Sequence, residues 1–343
     1  MSVLQVKDLV KEFVVRDGRR RTALRAVDEL SFELTAGTTV ALVGESGSGK
    51  STVARMLAQL MRPSSGTISL DGKPISTRGR GLRRYREDVQ MVFQDPFGSL
   101  NPFHTVDHHL RRPLRVHRRA ENRADEDRQI EHLLERVNLT PPARVAAKRP
   151  HELSGGQRQR IAIARALAPA PRVLLADEPV SMLDVSIRLE ILNLIDRLKQ
   201  EDDLAVLYIT HDLATARHFS RRIMVMYRGE LVESGDADDV ILRPQHPYTR
   251  LLAAAAPDPR RRITIDGAAT GAIGSPTSPA QPGGDPAVSG PVAGGSSAGI
   301  SDGCRFRARC PSAMAVCAER PPILSVGDGH SARCWLYRDG SDA

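Results

Sequence analysis

Aromatic residues are scarce in this 343-residue sequence: 4% are Phe, Trp or Tyr, with a single Trp. Surfaces that bind single-stranded nucleic acid by stacking need rings set among basic side chains. The chain is basic, with a formal net charge of +8, but its arginines are scattered (Arg19, Arg83, Arg118, Arg260) and do not alternate with rings. That pattern reads as a solvated basic surface, and no nucleic-acid partner is expected. Apolar runs are short as well, none nearing the ~20 residues that span a bilayer. The first residues lack the charged-then-apolar layout of a secretion signal. The sequence therefore predicts a protein kept in the cytosol and held at a membrane only by another chain. Cysteine is absent before Cys304, which excludes a disulfide framework for the main body.

What is present falls into three segments. Residues 1–262 alternate strand and helix signals and predict an α/β domain. Within it, strand signals vanish between Pro96 and Pro150, charge is dense, and Ile130, Leu133, Leu134 and Val137 recur at helical spacing. A helical subdomain is expected over about 96–160. Residues 263–302 are rich in Gly, Pro, Ser and Ala and predict a flexible linker, because so little apolar surface cannot offset chain entropy. Residues 303–343 hold all four cysteines and the Trp, and read as a compact tail.

Gly44, Glu45, Ser46, Gly47, Ser48, Gly49, Lys50, Ser51 and Thr52 fit the G-x-x-x-x-G-K-[ST] phosphate-loop pattern. The apolar stretch 38–43 before it predicts a buried strand. Residues 51–60 after it predict a helix with Val53, Leu57 and Leu60 on one side. Backbone N–H groups of such a loop close around phosphate oxygens, and the helix dipole adds to the attraction. Lys50 is expected to reach the β- and γ-phosphates of ATP, and the Ser51 hydroxyl to ligate Mg²⁺.

A second apolar strand, 172–176, runs into Asp177 and Glu178. In an open parallel sheet, ligands sit beyond the carboxyl ends of the strands. Asp177 there can help hold Mg²⁺, and Glu178 can polarise the water that attacks the γ-phosphate. The strand 204–210 likewise ends at His211, which can contact the γ-phosphate and orient that water. Ser154, Gly155, Gly156 and Gln157 form a turn leading into a helix that begins near Gln157 and runs through Ala168, a second anion site. One chain already has a phosphate loop, so this redundancy suggests a dimer in which the turn of one subunit closes over the nucleotide of the other.

Taken together, these residues resemble the ATP-binding subunit of an ABC transporter: phosphate loop 44–52, Gln94, signature 153–157, acidic strand end 173–178, the 181–184 loop with Asp184, and His211. Phe13 stands where that family keeps an adenine-stacking aromatic, more often Tyr. The stretch 92–102, the segment 150–153 and Pro244 to Thr249 are similar to oligopeptide/dipeptide importers, closest to the F-type subunit; nickel and some sugar importers share this subfamily. The resemblance implies a phosphate-loop ATPase cassette, with a RecA-like core and antiparallel β and helical subdomains. It implies two ATPase subunits, alike or different, sandwiching two ATP molecules and driving two membrane permeases at the cytoplasmic face of the cell membrane. An external solute-binding protein delivers the cargo. Gln94 is then expected at Mg²⁺ or the attacking water, and Asp184 at the dimer contact. Soluble ABC-type ATPases of DNA repair or translation fit less well, since they fuse two cassettes or place a zinc module within the cassette. Intact Glu178 and His211 argue against a non-hydrolysing subunit.

Cys304, Cys310, Cys317 and Cys334 are spaced by five, six and sixteen residues between neighbours. Four thiolates can hold zinc or an iron–sulfur cluster, with free thiols a third reading, and the spacing alone does not choose between cluster and zinc. Residues 303–311 resemble the cysteine tail of peptide-importer ATPases, which implies a [4Fe–4S] cluster. The long connector before the tail departs from that family.

Overall fold

The computed structural model describes residues 2–17, 20–255 and 303–338. The expected linker 263–302, the end of the first domain (256–262) and the last five residues lie outside the described residues. The strands are β1 Ser2–Asp17, β2 Arg20–Thr35, β3 Thr39–Val43, β4 Ser65–Leu70, β5 Lys73–Pro74, β6 Val89–Val92, β7 Val173–Asp177, β8 Ala205–Thr210, β9 Arg222–Tyr227, β10 Glu230–Asp236, β11 Leu324–Gly327 and β12 His330–Ala332. They form an antiparallel sheet β2-β1-β4-β5 and a larger sheet β11-β12-β10-β9-β3-β8-β7-β6.

In the large sheet, β9-β3-β8-β7-β6 is parallel. Parallel strands are covered on both faces, so they read as unbroken apolar runs. On β3, Val40 and Leu42 join one buried cluster while Ala41 and Val43 join the other. On β8, Leu207 and Ile209 share the first face, and Val206 and Tyr208 the second. A one-residue slip in either strand would exchange the two faces. The helix Lys50–Leu57 follows β3 directly. It is shorter than expected: the chain leaves the helix at Ala58, and Leu60 is 55% exposed rather than packed beside Leu57.

Residues 96–167 carry only helical elements, including Val106–His117, Arg123–Arg136 and Gly155–Leu167. Asn122 caps the second of these by accepting the Asp125 N–H. Its Ile130, Leu133 and Leu134 are buried, as is Val137 just beyond it. The buried Arg111 ties the first two together, donating to Asp107, Glu126 and Asp127.

The cysteine tail is not a free-standing unit. β12 pairs antiparallel with β10 (Glu233 with Ala332), so the β11–β12 hairpin extends the large sheet at its edge. Arg320 pairs with Glu29 and Glu230 at 2.8 Å each. Beneath the hairpin the buried carboxylate of Glu233 accepts the backbone N–H groups of Gln245 and His246, each at 2.8 Å, and lies 2.8 Å from His330 Nε2.

His246 is buried there, its Nδ1 accepting the Tyr248 N–H at 3.1 Å. Burial pushes its pKa down to about 4 against an opposing pull from Glu233. A histidine depressed in the fold stabilises it above the unfolded value of about 6.5 and loses that contribution as pH falls toward 4. The thermal midpoint is therefore expected to fall between pH 6.5 and 4, and His246→Gln to flatten that slope by up to about one proton. An identical slope in wild type and variant would show that His246 does not titrate on unfolding.

Candidate nucleotide site

The loop between β3 and its helix surrounds a cavity of about 610 Å³ lined by Ala26, residues 44–47 and 49–52, Gln94, Glu178, His211 and Leu252. The loop's shape needs glycine at position 49, where φ is 107° and a Cβ would sit 2.2 Å from the Ala26 carbonyl oxygen. Ser48 is buried just behind the loop, where its backbone carbonyl accepts the Gly229 N–H at 2.8 Å.

Lys50 opens the helix and is buried, with Nζ donating to the Gly44 carbonyl at 2.7 Å and the Glu45 carbonyl at 2.9 Å. Burial pushes its ammonium below the ordinary lysine value. The Ser51 hydroxyl donates to Asp177 Oδ1 at 3.0 Å, across from the loop. Burial raises the Asp177 carboxyl, partly offset by the Ser51 hydrogen bond. Both shifts follow chiefly from burial, which disfavours the charged form of either group. Ser51 lines the cavity and its hydroxyl is bonded to the Asp177 carboxylate; these are the hard oxygen donors Mg²⁺ takes, so these residues fit Mg·ATP.

Beside them, Glu178 Oε2 lies 3.2 Å from Gln94 Nε2, which donates to it, and 3.3 Å from His211 Nδ1. Glu178 takes φ 45°, and its N–H donates to the Ile209 carbonyl at 2.9 Å. A non-glycine residue at that φ costs of order 1–3 kcal/mol, and such strain gathers at working sites. Three strand ends thus deliver Gln94, Glu178 and His211 to one mouth of the cavity.

Other expected residues lie elsewhere. Ser154 and Gln157 form a capping box at the start of the helix Gly155–Leu167, and a Cβ on Gly156 would meet Ile187 Cγ2 at 2.9 Å. Neither this turn nor Asp184 lines the cavity of its own chain. Phe13 is half-buried on β1, with Lys11 Nζ 5.2 Å from its ring centroid, and is also not among the cavity's lining residues.

Sequence reasoning missed two residues. Tyr248 offers its hydroxyl oxygen to the Glu45 N–H at 2.9 Å, and Arg309 of the tail forks onto the Glu45 carboxylate, both bonds 3.0 Å. The 244–249 segment and the 303–311 segment that holds Arg309 were both visible as subfamily markers, though not their physical tasks at Glu45.

The four cysteines are free, with Cys317 buried and the others half-buried. Burial raises the thiols of Cys304 and Cys334, the latter to about 11; Cys310 and Cys317 add to both shifts, and Cys304 to that of Cys334. Among the described residues, however, no group of three or more His, Cys, Asp or Glu side chains is gathered to hold a metal ion. The expected cluster thus gains no support from this geometry. No helix among the described residues is long and apolar enough to cross a membrane.

A phosphate loop facing a strand-end Asp-Glu pair, with a helical subdomain beside it, defines an ATP-binding cassette. Comparison with known proteins refines this. The ABC transporter family model matches residues 27–181, and that of the oligopeptide/dipeptide transporter C-terminal region matches 232–317. The chain is 39% identical over 342 residues to the oligopeptide transport ATP-binding protein AppF of Bacillus subtilis, covering 98% of each. It is 37% identical to the oligopeptide transport ATP-binding protein OppF of Escherichia coli, covering 97% of this chain and 95% of that one. A glutathione import ATP-binding protein, GsiA of Pectobacterium atrosepticum, is 47% identical over 266 residues, 42% of its length. Among solved structures, cbiO1 of Clostridium perfringens aligns with a TM-score of 0.61 at 27% identity, covering 71% of this chain and 91% of that one. The dimeric cassette MJ0796 bound to ADP and Pi gives 0.60 at 30%, covering 68% and 98%. The chain belongs to the ABC transporter ATP-binding subunits of the oligopeptide/dipeptide family, which are ATPases.

Proposed function

We propose that this chain hydrolyses ATP to drive import of di- or oligopeptides through two membrane permeases, working as one of two paired cassettes at the cytoplasmic face of the membrane. The observation that carries the ATPase part is Glu178 held between Gln94 and His211 at the mouth of the phosphate-loop cavity. Lys50 would meet the β- and γ-phosphates, while Ser51 and Asp177, with Gln94 at the edge, would hold Mg²⁺. Bound Mg²⁺ neutralises phosphate charge. Glu178 takes the proton of the attacking water; His211 and Gln94 fix its carboxylate. Phe13 stacks on adenine.

Residues 154–157 and Asp184 act on the nucleotide of the opposite subunit. Two features support this pairing. The signature turn is absent from its own chain's cavity, and Met182, Val185 and Leu189 around Asp184 are at least half exposed, an apolar face suited to a partner cassette. The dimeric state of MJ0796 agrees. The relatives named for oligopeptide transport support the cargo and, with it, the permeases and a solute-binding protein.

Deleting the subunit should abolish uptake of labelled oligopeptides, restored by wild type and not by Glu178→Gln. Intact peptide uptake with lost nickel uptake would move the cargo to nickel.

We also assign residues 1–262, 263–302 and 303–343 to cassette, linker and tail, and Cys304, Cys310, Cys317 and Cys334 to a [4Fe–4S] cluster. The cluster rests on the resemblance of residues 303–311 to the cysteine tail of peptide-importer ATPases, and the described residues gather no metal-binding group. Anaerobically purified protein should be brown with stoichiometric iron and sulfide. Colourless protein carrying zinc would replace the cluster with a zinc site.

A further inference from the structure

Glu45 places a carboxylate within the loop expected to hold a triphosphate. Like charges at such range repel, and a phosphate site with a free carboxylate would weaken its own ligand. Every polar group of Glu45 is nevertheless tied down. Its N–H donates to Tyr248 Oη at 2.9 Å, its carbonyl accepts Lys50 Nζ at 2.9 Å and the Ser48 N–H at 3.2 Å, and its carboxylate takes both arms of Arg309 at 3.0 Å. Two parallel N–H bonds to one carboxylate fix direction as well as charge.

Arg309 is itself held. Its guanidinium lies 5.8 Å from the ring centroids of Tyr227 and Phe306. These rings and Tyr248 are buried and mutually packed, with centroids 4.5–5.5 Å apart. Arg305 and Arg320 seat the same segment on Asp28, Glu29 and Glu230. Residues 264 positions apart in the chain are thus brought together.

We propose that Arg309 is a positioning residue for nucleotide binding: it neutralises and orients Glu45, so that ATP affinity depends on the docked cysteine tail. This rests on ATP binding at the phosphate loop. Arg309 touches no reacting atom, so its loss changes KM for ATP and leaves kcat alone.

The test uses the full chain in five forms: wild type, Arg309→Gln, Arg309→Lys, Glu45→Gln and the Arg309→Gln/Glu45→Gln double variant. Arg309→Gln should raise KM for ATP about fivefold, the range of a partly exposed ion pair with good geometry. The increase should shrink at high salt, while kcat stays within about twofold. Adding Glu45→Gln should reverse the rise, because no unpaired carboxylate then remains. Arg309→Lys, which keeps the charge but loses the fork, should raise KM by less than Arg309→Gln does. Emission from Trp335, the sole Trp, which lies in the tail, reports whether the segment stays seated. An unchanged KM in Arg309→Gln, or a rise that Glu45→Gln fails to reverse, overturns the proposal. A wild-type chain without ATPase activity would instead overturn the functional reading beneath it.

Discussion

Replacing Glu178 with Gln is expected to cut steady-state ATP hydrolysis by about 10²- to 10⁴-fold, the usual range for a lost general base, while ATP still binds and the dimer accumulates. The substitution keeps shape and keeps contact with Gln94 and His211, each within 3.3 Å of Oε2. It removes only the ability to take a proton. The backbone at φ 45° is set by residues around it, including the bond from Glu178 N–H to Ile209, so the side chain's position should persist. ATP turnover and size-exclusion profiles with and without ATP measure both effects. Unchanged turnover would remove Glu178 from the role of base.

The second large effect is on binding. Lys50 is buried, and its ammonium is the cation placed against the loop's backbone. Removing one member of a buried charge pair costs about 2–5 kcal/mol of affinity, so Lys50→Ala should weaken ATP binding by about thirtyfold or more. The same change leaves the Gly44 and Glu45 carbonyls without their donor, so a nucleotide-free melt must accompany the titration. Loss of the ATP-induced rise in thermal midpoint, with a fold that still melts cooperatively, is the expected result. Wild-type affinity would refute the phosphate-loop reading.

The core of this site was legible because it is local. A buried strand, a glycine loop and a helix occupy about twenty consecutive residues, and periodicity reports them directly. The strand ends at Asp177 and His211 were legible for the same reason, since apolar runs stop where the sheet edge meets the cavity. Helix ends were less so: Leu60 kept the apolar spacing, but the helix closes at Leu57 and leaves it exposed. Tertiary placement was not legible at all. Nothing in the cysteine spacing indicates that β12 joins the edge of β10, or that Arg309 meets Glu45, because both depend on chain returns of nearly a hundred residues or more. The positive φ of Glu178 was also hidden, since strain at one residue leaves no pattern in composition.

A complete ATP site is expected to need two subunits. The direct measurement is a structure of the ATP-loaded Glu178→Gln assembly. A head-to-tail pair is expected, with Lys50 of one copy and Ser154 of the other on the same γ-phosphate. Both contacts arising from a single polypeptide would contradict it.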